Sequence, residues 1–267
     1  ANATDHRIKW TSSNKTAATV DENGTVTALR PIETVTITAV YKTNPALTCS
    51  WNLKITRTKG YITKQMLDNL DLTSIKKVMI TAHPDDETLW GGGHLIEGEY
   101  LVVCMTHGWN PKRRTAFEQT MRTTNDKYLI LDYPDVRKTF SNGKYETDML
   151  STCKNAMQED INLILSYKKW DLIATHNPFG EYGKFLHKTI SQMVTQCYNK
   201  MTNKSATLYY FGRYYNSSNK IPGEQIAPEL LAIKNSMVGR YYPTAKGAID
   251  AFGHMIPYEN WLLPSEW

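Results

Sequence analysis

Apolar and polar residues alternate with a period of two through the N-terminal stretch of the chain and then stop doing so. Val35-Thr36-Ile37-Thr38-Ala39 and Trp51-Asn52-Leu53-Lys54-Ile55-Thr56 place apolar side chains on one face, as half-buried strands do. Asp21-Glu22-Asn23-Gly24, between Ala18-Thr19-Val20 and Thr25-Val26-Thr27-Ala28, carries the turn signal of a hairpin. The pattern predicts a small β-sandwich. Alternation ends at Arg57-Thr58-Lys59-Gly60-Tyr61, which sets a boundary near Lys59.

Beyond it the rhythm changes to compact apolar runs separated by helical spacing. Met66, Leu67 and Leu70 recur as on a short helix within Tyr61 to Leu72. Val78-Met79-Ile80, Tyr100 to Cys104, Asp171 to Thr175 and Ala206 to Phe211 read as buried strands, with helical stretches at 114–128 and 147–167 between them. The apolar face of the second helix is supplied by Ile161, Leu163, Ile164 and Leu165. Strands alternating with helices predict a parallel sheet covered on both sides. The chain therefore divides into an all-β segment at 1–58, a connecting segment with a short helix at 59–74, and an α/β domain at 75–267.

Candidate chemistry gathers at the ends of two of these strands. Lys77-Val78-Met79-Ile80-Thr81-Ala82-His83-Pro84-Asp85-Asp86-Glu87 runs a buried strand into a His and adjacent carboxylates, and Pro84 forces a turn. Open α/β sheets bind ligands at that edge. Imidazole and carboxylate suit Zn²⁺, and neighbouring carboxylates can divide metal binding and proton transfer. A catalytic zinc takes three protein ligands and one open position. His83, one of Asp85 or Asp86, and one of His176 or His187 would meet that requirement. Both distant histidines lie on the Gly- and Pro-containing loop His176-Asn177-Pro178-Phe179-Gly180-Glu181-Tyr182-Gly183-Lys184-Phe185-Leu186-His187, which follows the strand ending at Thr175. His107 follows the strand ending at Cys104 and points to the same edge. Glu87 reads as a helix cap or as a group orienting a ligand. His6, His94 and His254 have no partner pattern. Gly91-Gly92-Gly93 lacks the spacing of a nucleotide-binding loop.

Ala82-His83-Pro84-Asp85-Asp86-Glu87, followed by Gly91-Gly92-Gly93 and the loop from Gly183 to His187, resembles the PIG-L/LmbE-like family of zinc-dependent de-N-acetylases. The resemblance covers the chain from about Ile75 onward. It implies removal of an acetyl group from an N-acetylated amino sugar, with zinc on His83, Asp86 and His187 and Asp85 as general base. It departs from the family at Gly183-Lys184-Phe185-Leu186-His187, where many members carry an earlier His. Lys184 holds that position and, near a dication, could stabilise an oxyanion or give a proton. The family's substrate-contacting Arg corresponds to Arg113 or Arg114, and His107 and His176 join it as substrate-side residues.

Trp10-Thr11-Ser12-Ser13-Asn14, Ala18-Thr19-Val20-Asp21, Gly24-Thr25-Val26-Thr27-Ala28 and Thr36-Ile37-Thr38-Ala39 resemble the group 2 bacterial immunoglobulin-like domain over most of residues 6–56. The resemblance implies a spacer in a secreted or cell-surface bacterial protein. The expected whole is thus multidomain: an immunoglobulin-like sandwich followed by an α/β, Rossmann-like domain with a mostly parallel sheet.

Charge and composition narrow the function further. The formal net charge of +5 over 267 residues is modest and spread out, with seven Lys or Arg against four Asp or Glu in residues 1–58 and twenty-four against twenty-two in the rest, and no dense basic stripe suggests nucleic acid. An acidic glycan or cell-wall polymer is an allowed partner. No apolar run of membrane-spanning length occurs, and Ala1-Asn2-Ala3-Thr4 does not read as a signal peptide. Cys49, Cys104, Cys153 and Cys197 are far apart and form no Cys-x-x-Cys. Tyr, Asn and Ser between Arg213 and Gly223 would suit a sugar-binding rim. The reading is a zinc-dependent deacetylase acting on a sugar or glycan. Its alternatives are a glycan-binding surface module with a degenerate catalytic site and metal-assisted hydrolysis of an ester or phosphoester.

Overall fold

A computed structural model describes residues 7–138, 145–146, 148–202 and 204–267. His6, Thr147 and Ala1-Asn2-Ala3-Thr4 lie outside them. The chain forms two compact units, one of Ala1–Lys59 with Asp132–Ala156, the other of Gly60–Leu131 with Met157–Trp267.

The first unit begins with five strands: β1 (Ile8–Ser12), β2 (Ala18–Val20), β3 (Val26–Ala28), β4 (Ile32–Tyr41) and β5 (Thr48–Ile55). β4 pairs antiparallel with β1 and β5, and β2 pairs antiparallel with β3. The turn between β2 and β3 forms where the sequence predicts it. Asp21 accepts the amides of Asn23 and Thr25, and Gly24 has φ +83°, a conformation that L residues with a Cβ rarely adopt. Ala17, Ala18, Val35 and Ile37 are buried in this small core, and Trp10 stacks on Trp51.

Further along the chain, α1 (Lys64–Asn69) precedes β6 (Lys77–Thr81), α2 (Asp86–Glu97), β7 (Tyr100–Thr106), α3 (Pro111–Thr124) and β8 (Lys127–Tyr133). The short strands β9 (Arg137–Lys138) and β10 (Tyr145–Glu146) pair antiparallel. After them come α4 (Asp148–Tyr167), β11 (Leu172–Thr175), α5 (Gly180–Gly183), α6 (Phe185–Lys200), β12 (Thr207–Tyr210) and α7 (Pro228–Phe252). Helix α3 begins earlier and ends sooner than its apolar spacing suggests. Asn110 caps it by accepting the amides of Lys112 and Arg113, and Asn125 stops it in a left-handed conformation (φ 59°). Tyr128, expected in the helix, is therefore on β8.

The five-stranded sheet has the order β12-β11-β6-β7-β8, and the pairs β12/β11, β11/β6 and β6/β7 are parallel. Chain order reverses between β6 and β11, and open α/β sheets bind ligands at the carboxyl ends of strands at such a switch point. Met79, Tyr100, Val102, Cys104 and Ala174 face a core shared with Leu89, Trp90, Phe117, Val238 and Tyr241 of α2, α3 and α7. Alternation sends Val78, Ile80, Leu101, Val103 and Ile173 to the other face, where α6 packs on β6 and β11. All five are at most 2% exposed, which explains why these strands read as unbroken apolar runs.

The Gly91–Gly93 run is a packing feature. Gly91 leaves helical geometry (φ −150°, ψ 16°) and divides α2. A Cβ there would approach Met79 Cε at 2.7 Å and Trp261 Cζ2 at 2.9 Å, and one at Gly92 would meet Lys234 Cγ at 2.9 Å. The amides of Gly93 and His94, freed by the kink, donate to the Glu259 carboxylate at 2.6 and 3.1 Å. Fully buried Lys234 pairs with the same carboxylate at 2.6 Å.

Candidate metal centre

Two strand ends build the centre. β6 delivers Ala82 and His83 to the edge of the sheet, Pro84 turns the chain, and α2 starts at Asp86. The turn closes on itself: Asp86 Oδ2 accepts the His83 amide at 2.8 Å, and the Asp86 amide donates to the His83 carbonyl at 3.2 Å. In this geometry Asp85 adopts φ 149°, a region that costs a non-glycine residue on the order of 1–3 kcal/mol. Glu87 secures it, since its Oε2 accepts the Asp85 amide at 3.1 Å and its Oε1 takes the hydroxyls of Tyr241 at 2.6 Å and Thr88 at 2.7 Å. Burial pushes the Glu87 carboxyl up to about 7 against these hydrogen bonds.

β11 supplies the other side. His176 and Asn177 leave its carboxyl end, and Asn177 locks the loop by donating to the carbonyls of Phe211 and Gly212 and accepting the amides of Phe179 and Glu181, all at 3.0 Å. Gly180, Glu181 and Gly183 all take positive φ (64°, 55° and 98°), a path that brings the first turn of α6 back toward the sheet. His187 lies in that first turn and is fully buried.

The two loops meet at Asp86. His83 Nδ1 is 3.0 Å from His187 Nε2, and Asp86 Oδ2 is 3.3 Å from the first and 3.4 Å from the second. Ligand atoms bound tetrahedrally at about 2.0–2.1 Å stand roughly 3.3 Å apart, so these three donor atoms have the spacing that such a cation would require. The residues fit the group that the sequence implies. Three of the five non-glycine residues with positive φ among the described residues, Asp85, His107 and Glu181, are at or beside this point. Strain of that kind collects at functional sites.

Electrostatics separate the two aspartates. Burial raises the Asp86 carboxyl, but His187, His176 and His83 outweigh it and hold it well below the usual carboxylate range. Burial and the neighbouring Asp86 charge push Asp85 up to about 8, opposed by Arg113 and His83. Asp85 Oδ1 is buried and has no hydrogen-bond partner among the described residues. At His187 burial is the largest effect and leaves the ring below its ordinary value, despite the carboxylates of Asp86 and Glu181. For His176 burial is outweighed by Glu181 and Asp86, which raise it to about 9. Its Nε2, however, accepts the Ala82 amide at 2.9 Å, which only an unprotonated nitrogen can do, so the geometry supports a neutral ring with its proton on Nδ1.

The remaining sequence candidates are distributed around this point. The His107 ring centroid is 5.7 Å from that of His83, beside the centre. Arg113 is half-buried, donates to the Thr244 carbonyl at 3.2 Å, and lowers the pKa of Asp85 by its charge. Arg114 instead donates to the Gly108 carbonyl at 2.6 Å and faces Glu118 at 3.8 Å. Lys184 is half-buried at the N-cap of α6, three residues before His187, and its side chain makes no hydrogen bond or ion pair with another described residue. His176 is fully buried beneath the centre.

Sequence reasoning passed over two groups. Glu181 accepts from His187 Nδ1 at 2.5 Å and His176 Nδ1 at 3.0 Å; its place in the distal loop, six residues before His187, is the only signal that could have pointed to it. Tyr241, on α7, holds Glu87 from a helix that the sequence reading did not anticipate.

Residues 1–50 match the family described as Bacterial Ig-like domain (group 2), and such domains occur in bacterial surface proteins. The uncharacterized protein L374 of Acanthamoeba polyphaga mimivirus is 31% identical over 175 residues, which cover 59% of this chain and 67% of that protein. An uncharacterized protein of Clostridium acetobutylicum is 33% identical over 89 residues, 33% of this chain and 9% of that protein. The crystal structure of a conserved protein, TT1542, from Thermus thermophilus aligns with a TM-score of 0.49 at 13% identity, covering 72% of this chain and 96% of that one.

Proposed function

We propose that this chain, which belongs to the same family as the uncharacterized mimivirus protein L374, is a zinc-dependent hydrolase that removes the N-acetyl group from an N-acetylated amino sugar. The observation that carries the proposal is the meeting of His83 Nδ1, Asp86 Oδ2 and His187 Nε2 within 3.0–3.4 Å of one another, beside a buried carboxylate oxygen of Asp85 that has no partner among the described residues. The reversal of strand order between β6 and β11 supports a Rossmann-like domain with its site at the switch point.

His83, Asp86 and His187 would hold the cation. When bound, it makes a water acidic and polarises the acetamide carbonyl. Asp85 accepts the proton of the attacking water and returns it to the amine nitrogen as the C–N bond breaks, giving acetate and a free amino sugar. Arg113 acts on Asp85 through its charge, opposing the rise that burial and Asp86 impose and so favouring the carboxylate that serves as base. Lys184, at the start of α6, supplies positive charge for the tetrahedral oxyanion. Tyr182, exposed and packed edge-on against His187 at a ring-centroid distance of 5.7 Å, offers an aromatic surface beside the site for a sugar face. The immunoglobulin-like unit, of a kind that occurs in bacterial surface proteins, supports a secreted or cell-surface setting.

The test is acetate release from a panel of N-acetylhexosamine oligosaccharides by the full chain, before and after removal of metal with a chelator and again after adding back Zn²⁺. Release that is lost with the metal and restored by zinc is expected. A protein that binds zinc and glycan without releasing acetate would instead be a binding module, and hydrolysis confined to esters or phosphoesters would move the reaction to another class.

A further inference from the structure

A neutral imidazole offers one lone pair, and which nitrogen carries it depends on where the other nitrogen's proton goes. At this centre a single oxygen determines that for two rings. Glu181 Oε2 lies 2.5 Å from His187 Nδ1 and 3.0 Å from His176 Nδ1, so each ring donates its Nδ1–H to it. The consequence for His187 is that Nε2 keeps its lone pair, and Nε2 is the atom that faces Asp86 Oδ2 and His83 Nδ1. The consequence for His176 is that its Nε2 accepts the amide of Ala82, the residue just before His83. The rings stack at a centroid distance of 3.9 Å, which keeps both Nδ1 atoms on the carboxylate side.

Glu181 is itself held in place. Its Oε1 accepts the Asn177 amide at 3.1 Å, its own amide donates to Asn177 Oδ1 at 3.0 Å, and its side chain is fully buried. It adopts φ 55°, where a glycine would be free of strain, so the loop bears a conformational cost at the position that supplies this carboxylate.

We infer that Glu181 is the positioning residue of the metal centre: one buried carboxylate oxygen that fixes His187 as an Nε2 ligand and, through His176, ties the loop after β11 to the backbone that carries His83. The inference rests on the proposed metal site and deepens it. Carboxylates that orient ligating histidines typically contribute 10–100-fold to metal affinity.

The experiment titrates metal-free wild type and Glu181→Gln with Zn²⁺ against a chromophoric chelator and records the visible spectrum of the Co²⁺-loaded proteins. Glu181→Gln keeps the shape but loses the charge that accepts both N–H groups. Its zinc affinity is expected to fall about 10–100-fold with an altered Co²⁺ spectrum, while the thermal midpoint of the metal-free protein stays close to wild type. Equal affinity and an unchanged spectrum in a folded Glu181→Gln protein overturn the inference. If that variant does not fold without metal, Glu181→Asp, which keeps the charge but is shorter by one methylene, is read in the same way, and unchanged affinity there has the same meaning. Wild type that binds zinc but releases no acetate removes the proposed reaction and leaves the role of Glu181 standing. Affinity-neutral variants of an active wild type do the reverse, and a wild type that binds no zinc overturns both.

Discussion

Asp85 and Asp86 are adjacent and both buried, yet their surroundings push them in opposite directions. Asp86 faces three imidazoles and stays ionised, whereas Asp85 faces Asp86 and rises to about 8 in the protein without metal. A dication beside them would favour the charged form and pull Asp85 downward. kcat/KM is therefore expected to climb with pH along an acid limb lying below about 8, because the base works only when deprotonated, and the limb is expected to disappear from the residual rate of Asp85→Asn. The same substitution is expected to leave zinc content near one ion per chain while reducing acetate release about 10²–10⁴-fold. His187→Ala is expected to lose the zinc itself, as inductively coupled plasma mass spectrometry would read. Normal turnover in either variant would refute the assignment of roles. The Asp85-Asp86 pair was legible in the sequence because a strand, a Pro and two carboxylates are neighbours along the chain. His187 needed the family resemblance, since residue spacing leaves His176 equally eligible. Both Nε2 atoms lie 3.4 Å from Asp86 Oδ2, but that of His176 also accepts the Ala82 amide, whereas that of His187 lies 3.0 Å from His83 Nδ1.

At the scale of elements, the centre depends on β6 and β11 lying side by side, which puts two loops about ninety residues apart in sequence at one switch point. The apolar runs of these strands were readable because both faces are buried. Helix α7 was not, because Gly239, Pro243 and Gly247 dilute its periodicity, and the helix leaves ideal geometry at Ala245. With α7 went Lys234 and the C-terminal Glu259, the pair that fills the space beside the glycine run of α2. Glu259 also caps the second half of α2 by accepting the Gly93 and His94 amides, and, against the opposing effect of burial, Lys234 and His94 hold it at about 2. Because its folded pKa is depressed, its contribution is present above the unfolded value near 4.5 and is lost as pH falls toward about 2. Glu259→Gln is accordingly expected to destabilise the chain on the order of 3 kcal/mol near neutral pH, with the difference from wild type shrinking as urea denaturation is repeated from pH 5 down toward pH 2. Lys234→Met, which leaves a buried carboxylate without its cation, is expected to cost about 3–5 kcal/mol. A difference that does not change with pH would show that Glu259 contributes through packing rather than charge.

At the scale of the whole molecule, a period-two segment and an α/β segment follow one another in the sequence, which sets their boundary near Lys59, where alternation stops. The return of residues 132–156 to the first compact unit was not visible, since no local pattern marks which unit a segment will join. A metal that binds only the folded second unit adds stability by mass action, about 2.7 kcal/mol at a free concentration one hundred times Kd. For a unit of this size that is roughly 5–10 °C in the unfolding midpoint. Scanning calorimetry with and without Zn²⁺ should show that rise in wild type and none in His187→Ala. The most direct test of the account remains the reaction itself: acetate released from an N-acetylglucosamine oligosaccharide by the full chain after chelator treatment and again after Zn²⁺ is restored. The stripped protein is expected to release none, zinc to restore release, and Asp85→Asn loaded with the same metal to show no recovery. Release that persists in the stripped protein, or that Asp85→Asn restores in full, would contradict it.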